Sequence, residues 1–402
     1  MSIPRSKFRK ILHIDLDAFF CAVEELLDPG LKGVVFAVGG SPEGRGVVTS
    51  CSYPARQHGV RSAMPMKRAL KLFPQLRVVR SHYGEYVQAS KKVMALLGEV
   101  TPKIEQISID EAFLDVTDLP QPALDLARKI QNRIFSTLGL PCSIGVASNK
   151  LMAKIATNIG KSTHRGLTPP MAILEVQPGR EAEFLRPLPV GEMWGIGPKT
   201  AEYFEGLGLH TIGDIADMPL TLMVKQFGKF GYELAERVRG VDDREVSDEG
   251  EMKSVSNEIT FAVDIKDEKI LLEEIRRLST KVGVRLRKHG MSGFTVRIKI
   301  RWPDFTTHTR QLTLPQPTNS DLVICKAARQ LFHGIWHKGL AVRLIGVGVS
   351  QLSNPFQQLS LFDQSFEKEQ KLLRAVDELH KRFGDEVIHR GAGPKSHRTW
   401  EE

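Results

Sequence analysis

Three carboxylates stand where phosphoryl chemistry could use them. Asp15 lies near the end of the apolar run Ile11 to Leu16, and Asp110 and Glu111 sit side by side in KIEQISIDEAFLDVT, far along the chain. If the two runs are neighbouring strands, these carboxylates converge. That much buried negative charge repels itself or protonates unless cations compensate it. Mg2+ suits such a set, because it takes oxygen ligands and keeps room in its shell for water or substrate phosphates. Two such ions would serve phosphoryl transfer, one activating the attacking hydroxyl, the other holding the polyphosphate and its leaving group. Aspartates at strand ends are also commonly caps or solvated turn residues. Asp17 reads as the N-cap of the helix that AFFCAVEELL predicts. Asp110 and Glu111, being adjacent, point to opposite faces of a regular strand, so both reach one ion only at a bend or bulge.

The elements that must carry these residues alternate in type. Strand-like runs at Ile11 to Leu16, Val34 to Val38, Ile104 to Val116 and CSIGVAS are separated by helical patterns. These are MKRALKLF, stopped at Pro74, then Glu85 to Val100 and residues 122–138. Such alternation predicts an α/β catalytic core. Residues 186–250 read as helical with two glycine-centred turns, and the acidic stretch Arg244 to Glu251 reads as a linker. Residues 253–352 mix strand patterns (ITFAV, FTVRIKIRW, TRQLTL, VRLIGVGVSQL) with helices at 268–288 and 320–338, a separate α+β domain. A charged helix is expected around 366–384.

A chain of 402 residues is too long for one ordinary core, and 41% hydrophobic with 26% charged residues is a globular composition, so two to four domains are expected. The basic N-terminus runs into a segment broken by two aspartates, neither a signal peptide nor a membrane span, and a cytoplasmic protein is expected. Cys21, Cys51, Cys142 and Cys325 are scattered, with no zinc-type spacing, and read as reduced, mostly buried thiols. Residues 253–352 hold 17 Lys and Arg against 8 Asp and Glu, a surplus equal to the +9 of the whole chain. Positive charge so concentrated, without an aliphatic amphipathic anchor, favours nucleic acid over membrane as partner. WGIGPKTAEYFEGLGLHTIGDI reads as a helix-hairpin-helix, in which Gly195, Gly197 and Lys199 would let backbone amides at a helix N-terminus approach phosphate.

Four blocks then occur in order: HIDLDAFFCAVE, SYPARQHGVRSAMPMKRAL, EQISIDEAFLDV and GVASNKLMAKIATNIGK. Together they resemble the signature of the Y-family DNA polymerases, the lesion-tolerant class, and the resemblance runs from residue 10 to about 390. It implies an α+β multidomain, right-hand architecture. Its palm is 1–18 with 81–171, its fingers 19–80, its helix-hairpin-helix thumb 172–241, its linker 242–252, its little finger 253–352 and its tail 353–402. Asp15, Asp110, Glu111 and the carbonyl of Leu16 would ligate two Mg2+ ions. Ser50, Tyr53, Arg56 and Lys161 would hold the dNTP triphosphate, donors apt for a polyphosphate. Phe20 would be the steric gate against a 2′-hydroxyl, and Val47 a small roof over the nascent base pair.

Phosphate contacts to primer-template DNA are expected from Ser254, Ser256, Arg297, Lys299, Arg301, Arg310 and Arg343, since alternate strand positions share a face. The peptide at Gln358, Leu359, Leu361 and Phe362 resembles a sliding-clamp (β subunit) docking motif, here internal to the chain. The implied function is templated, low-fidelity DNA synthesis past lesions, without proofreading, by a cytoplasmic, nucleoid-associated monomer with no membrane attachment. The rival readings are the catalytic subunit of an accessory-dependent mutagenic polymerase, a non-catalytic helix-hairpin-helix DNA-binding protein, and a two-metal nuclease. The non-catalytic protein would not need the carboxylates, and the nuclease would not need a sugar gate.

Overall fold

The computed structural model describes residues 8–248, 250, 252–354 and 364–384. It divides into two compact units, Met1–Gly250 and Glu251–Glu402. The first half of unit one runs β1 (Ile11–Leu16), α1 (Phe19–Leu27), β2 (Phe36–Gly39), β3 (Val48–Cys51), α2 (Tyr53–Gln57), α3 (Met66–Leu72), β4 (Arg77–Val79) and α4 (Tyr83–Gly98). It continues through β5 (Ile104–Gln106), β6 (Glu111–Asp115), α5 (Ala123–Leu138), β7 (Cys142–Ala147), α6 (Lys150–Ser162) and β8 (Ile173–Glu175). Five short helices follow: α7 (Glu181–Leu185), α8 (Pro198–Gly206), α9 (Ile212–Ala216), α10 (Leu220–Phe227) and α11 (Lys229–Arg237).

The main sheet has the order β5-β6-β1-β7-β8, with β1 antiparallel to both neighbours. Being central, β1 is buried on both faces, which is why its sequence reads as nearly unbroken apolar. Leu12, Ile14 and Leu16 enter one core with residues of α1, α4 and α5, while Ile11 on the other face joins Leu151, Met152 and Ile155 of α6. The period of two therefore turns Asp15 and His13 toward α6 as well. A separate small sheet, β3-β2-β4, has its own core around Ala37, Val48, Met66 and Ala69.

Two local expectations are corrected. Residues 104–116 do not form one strand: β5 and β6 pair antiparallel as a hairpin with Gln106 opposite Ala112, and Ile107 to Asp110 make its turn. Asp17 is not the cap of α1. That position falls to Ala18, in the left-handed region at φ 45°, and no side chain caps the helix. The stretch read as linker also starts against unit one. Arg9 donates to the carbonyls of Asp242 (2.6 Å) and Arg244 (3.0 Å), Lys150 Nζ to that of Glu245 (2.9 Å), and the Leu151 amide to Asp242 Oδ2 (3.0 Å). All four cysteines are free and buried, and burial pushes the Cys21 thiol up to about 12.

Unit two contains β9 (Ser254–Ile265), α12 (Glu268–Lys288), β10 (Ser292–Arg301), β11 (Thr307–Thr318), α13 (Asp321–His333), β12 (Val342–Ser353) and α14 (Gln364–Phe383). Its antiparallel sheet, ordered β11-β10-β12-β9, packs Val296, Ile298, Ile300, Val347 and Val349 against Leu271, Ile275, Leu278 and Val282 of α12. The tail helix folds back onto this unit: Leu373 is buried, and Asp377 accepts a two-pronged ion pair from Arg287 at 2.6 and 2.8 Å. No helix among the described residues is long and apolar enough to cross a membrane.

Candidate active site

The C-terminal end of β1 places the first carboxylate. Asp15 stands directly opposite Glu111 in the β1–β6 register, and the Leu16 amide donates to the Asp110 carbonyl at 3.0 Å. Because Asp110 belongs to the hairpin turn and Glu111 opens the strand, the adjacent pair escapes strict strand alternation. Ser108 fixes the turn. Its Oγ donates to Asp110 Oδ1 at 2.6 Å and accepts from the amides of Asp110 (3.2 Å) and Glu111 (3.0 Å).

A cavity of about 230 Å³ gathers seven of the residues picked from the sequence: Asp15, Leu16, Phe20, Ser50, Arg56, Asp110 and Lys161. Glu111 and Tyr53 are not among its lining residues. Glu111 instead meets Lys154 at 2.8 Å. Tyr53 carries the Arg56 guanidinium over its ring at 4.5 Å, and its buried hydroxyl has no hydrogen-bond partner among the described residues. Burial first, then nearby Asp17, pushes the Tyr53 phenol up, so it stays a neutral donor. Val47 bridges to Pro65 and is 46% exposed.

Helix α6 supplies the cations. Asn149 caps it by accepting from the Met152 amide, and one stripe of the helix presents Lys150, Lys154, Thr157 and Lys161. Lys161 Nζ lies 2.8 Å from Asp15 Oδ1 and 3.1 Å from Asp17 Oδ1. Burial pushes Asp15 up; Lys161 opposes this, and the charge of Glu111 adds to it. Burial alone would lower Lys161, but Asp15 and Asp17 outweigh it and hold the ammonium charged. Fully buried Asp17 also accepts from Ser143 Oγ (2.9 and 3.1 Å) and the Met171 amide (3.0 Å), so it orients Lys161 and ties β7 to the segment before β8.

The sequence reading missed Asp17 in this role, and missed Ser108, His13 and Lys154. The one available signal was Lys154 and Lys161, seven residues apart and so on one stripe of a helix whose other faces are largely apolar. Phe20 borders the cavity and stacks on Tyr86, ring centres 4.3 Å apart and planes 12° apart. The Tyr86 hydroxyl in turn donates to buried Glu24.

Among the described residues, no three acidic, His or Cys side chains converge tightly enough to hold an ion as they stand. The donor chemistry nonetheless fits a hard divalent cation. Two carboxylates of an all-oxygen set border one cavity, a third faces Asp15 across the ladder, and burial already strains the charge of Asp15.

The expected DNA contacts separate. In unit one, Gly195 adopts φ +102°, and exposed Gly197 is the N-cap of α8 with no side-chain cap, followed by Pro198 and exposed Lys199. In unit two, Arg297, Lys299 and Arg301 share the sheet face away from α12. Ser256 and Gly348 lie in register with Arg297, and Ser254 follows on the same face. Lys299 is paired with Glu258 at 2.8 Å. Arg310 departs from the shared-face expectation. Arg310 is opposite Ile298 and so belongs to the helix-side face, whereas Arg343 sits where the β12–β9 register shifts, beside core residue Val342, and covers the Phe305 ring at 4.2 Å. Gln358, Leu359, Leu361 and Phe362 lie outside the described residues.

Comparison with known proteins assigns the class. Residues 14–158 match the impB/mucB/samB family, residues 178–209 the helix-hairpin-helix motif of that family, and residues 252–361 its C-terminal domain. The chain is similar to a solved Y-family DNA polymerase chimera (TM-score 0.74, 26% identity, 85% of this chain and 98% of that one). It is also similar to the DinB protein of Sulfolobus solfataricus (TM-score 0.59, 26% identity, the same coverage). The chain belongs to the Y family of DNA polymerases and is a DNA-directed DNA polymerase. Its relatives include DNA polymerase IV of Dehalococcoides mccartyi strain CBDB1, 38% identical over 95% of this chain and 97% of that one. They also include DNA polymerase IV of Bacillus anthracis, 38% identical over 96% and 94%.

Proposed function

We propose that this polymerase inserts deoxynucleotides opposite and past damaged template bases, with low fidelity and no proofreading. The observation that carries the reading is a single cavity bordered by Asp15 and Asp110, by the Phe20 ring, and by Arg56 and Lys161. Those are the parts needed for a divalent cation, a deoxyribose and a polyphosphate. Asp15, Asp110, Glu111 and the Leu16 carbonyl would hold two Mg2+ ions, which when bound activate the primer 3′-hydroxyl and neutralise the leaving pyrophosphate. Arg56 and Lys161 would bind the triphosphate with Ser50, and the unpartnered Tyr53 hydroxyl would donate to one of its oxygens. Phe20 would lie beneath the sugar and exclude a 2′-hydroxyl. Exposed Val47, a small side chain, would leave room above the base pair for a damaged template.

The palm, fingers, thumb and little finger would take the boundaries expected from the sequence. Backbone-directed contacts from Gly195, Gly197 and Lys199, and from the Arg297 face, would hold primer-template without sequence preference. The internal peptide at Gln358, Leu359, Leu361 and Phe362 would dock the sliding clamp on an otherwise distributive, monomeric enzyme working at the nucleoid in the cytoplasm.

Primer extension with Mg2+ and dNTPs, on damaged and undamaged templates, tests the core of this reading. Wild type should extend through the lesion, and Asp110→Ala with Glu111→Ala should lose extension on both templates. Extension surviving in the double variant would remove the carboxylates from the chemistry. Substituting Gln358, Leu361 and Phe362 by Ala should spare basal extension and abolish stimulation by clamp; undiminished stimulation would sink the docking assignment.

A further inference from the structure

Lys154 stands outside the residues that border the cavity, yet it is held from three sides. Its Nζ is 2.8 Å from Glu111 Oε2, 3.5 Å from His13 Nε2 and 5.7 Å from the centre of the Trp194 ring. The tautomer of His13 follows from its other neighbour. Thr157 Oγ1 has one hydrogen, and the carbonyls of His13 and Ala153 stand at 3.1 and 3.0 Å to accept it. The Thr157 oxygen, 2.9 Å from His13 Nδ1, is left to accept from the ring, so the proton sits on Nδ1 and Nε2 turns a lone pair to Lys154. With its side chain 13% exposed, Lys154 is packed against these partners. It differs here from Lys161, which borders the cavity.

A positive charge fixed beside one oxygen of Glu111 leaves the other oxygen for a second partner, and it repels any divalent cation brought to that partner position. We propose that Lys154 is a positioning residue, a built-in counter-charge that weakens divalent-cation binding at Glu111 until triphosphate oxygens arrive to share the ion. This rests on the reading of Asp15, Asp110 and Glu111 as cation ligands. Its consequence is ordered loading: the cation binds well only together with the nucleotide, because the protein carboxylates alone are partly neutralised in advance.

The test uses Mn2+ alone as probe, titrated into the full-length protein without nucleotide, with free ion read by electron paramagnetic resonance. Lys154→Met and Lys154→Gln should bind Mn2+ about tenfold more tightly than wild type, the size expected when one screened unit charge is removed at this range. Lys154→Arg, which keeps the charge, should stay near wild type. Gln can still donate to Glu111, so it carries the test if the Met variant does not fold. Binding unchanged or weakened in a folded neutral variant overturns the proposal and makes Lys154 a prop for Glu111. Wild-type Mn2+ binding that survives Asp110→Ala with Glu111→Ala overturns the ligand reading itself, a separate failure.

Discussion

A side chain that is to discriminate sugars, the role proposed for Phe20, must be held still. A ring that could tilt away would accommodate an added hydroxyl, and hydrophobic pockets reject isosteres only weakly. Phe20 has little room to tilt, because it lies flat on Tyr86 at 4.3 Å and Tyr86 is anchored by its hydroxyl to Glu24. His82 Nδ1, 3.0 Å from Glu24, completes the support. Phe20→Ala is therefore expected to raise ribonucleotide insertion relative to deoxyribonucleotide by about a hundredfold, read as the ratio of kcat/KM for a matched rNTP and dNTP. An unchanged ratio would take Phe20 out of the gate. The position of Phe20 was legible in AFF through the family resemblance, but its backing was not. Tyr86 and Glu24 lie on different helices, 62 residues apart, and no local pattern announces that contact.

At the scale of elements, the site depends on how closely α6 lies on the sheet. Gly145 of β7 permits that approach: a Cβ there would fall 2.0 Å from the Ala153 carbonyl oxygen and 2.6 Å from the Thr157 nitrogen, both backbone atoms of α6. Gly145→Ala must push the helix outward, and it should destabilise the fold by about 3 kcal/mol, seen as a lower urea midpoint with unchanged slope. Because α6 carries Lys154 and Lys161, extension measured where the variant is still folded should fall as well. Full activity would mean that the distance of the helix from β1 is not critical. The sequence made β1, α5, β7 and α12 readable, since their periodicity and end signals are local. It misread residues 104–116 because a short turn without Gly or Pro, closed by the Ser108 hydroxyl, interrupts no apolar pattern. It misread Asp17 because that carboxylate is claimed by Ser143, Met171 and Lys161, far away in sequence, before it can serve as a local cap.

At the scale of the molecule, charge and function divide between the units. Unit one holds the carboxylates and their lysines in near balance, whereas residues 253–352 hold the net positive charge. On the exposed face of the unit-two sheet, Arg297 is exposed beside Gly348, where an added Cβ would meet Ser256 Cβ at 3.0 Å. The floor there is flat, and long cations rise from it. Arg301 is positioned by a 2.8 Å hydrogen bond from its Nε to Thr307, and Lys299 is partly spent on Glu258. Arg297 and Arg301 should then be the main phosphate contacts of this face, with Arg310 contributing less because it lies on the other side. Each phosphate contact releases condensed counterions, so removing two should lower the slope of log affinity against log salt by about two. Arg297→Gln with Arg301→Gln is expected to do this for primer-template of any sequence, measured by fluorescence anisotropy across a salt series. Arg310→Gln should leave the slope nearly unchanged. If instead Arg310→Gln lowers the slope and the pair does not, DNA binds the helix-side edge of unit two, and the open sheet face is a solvated surface.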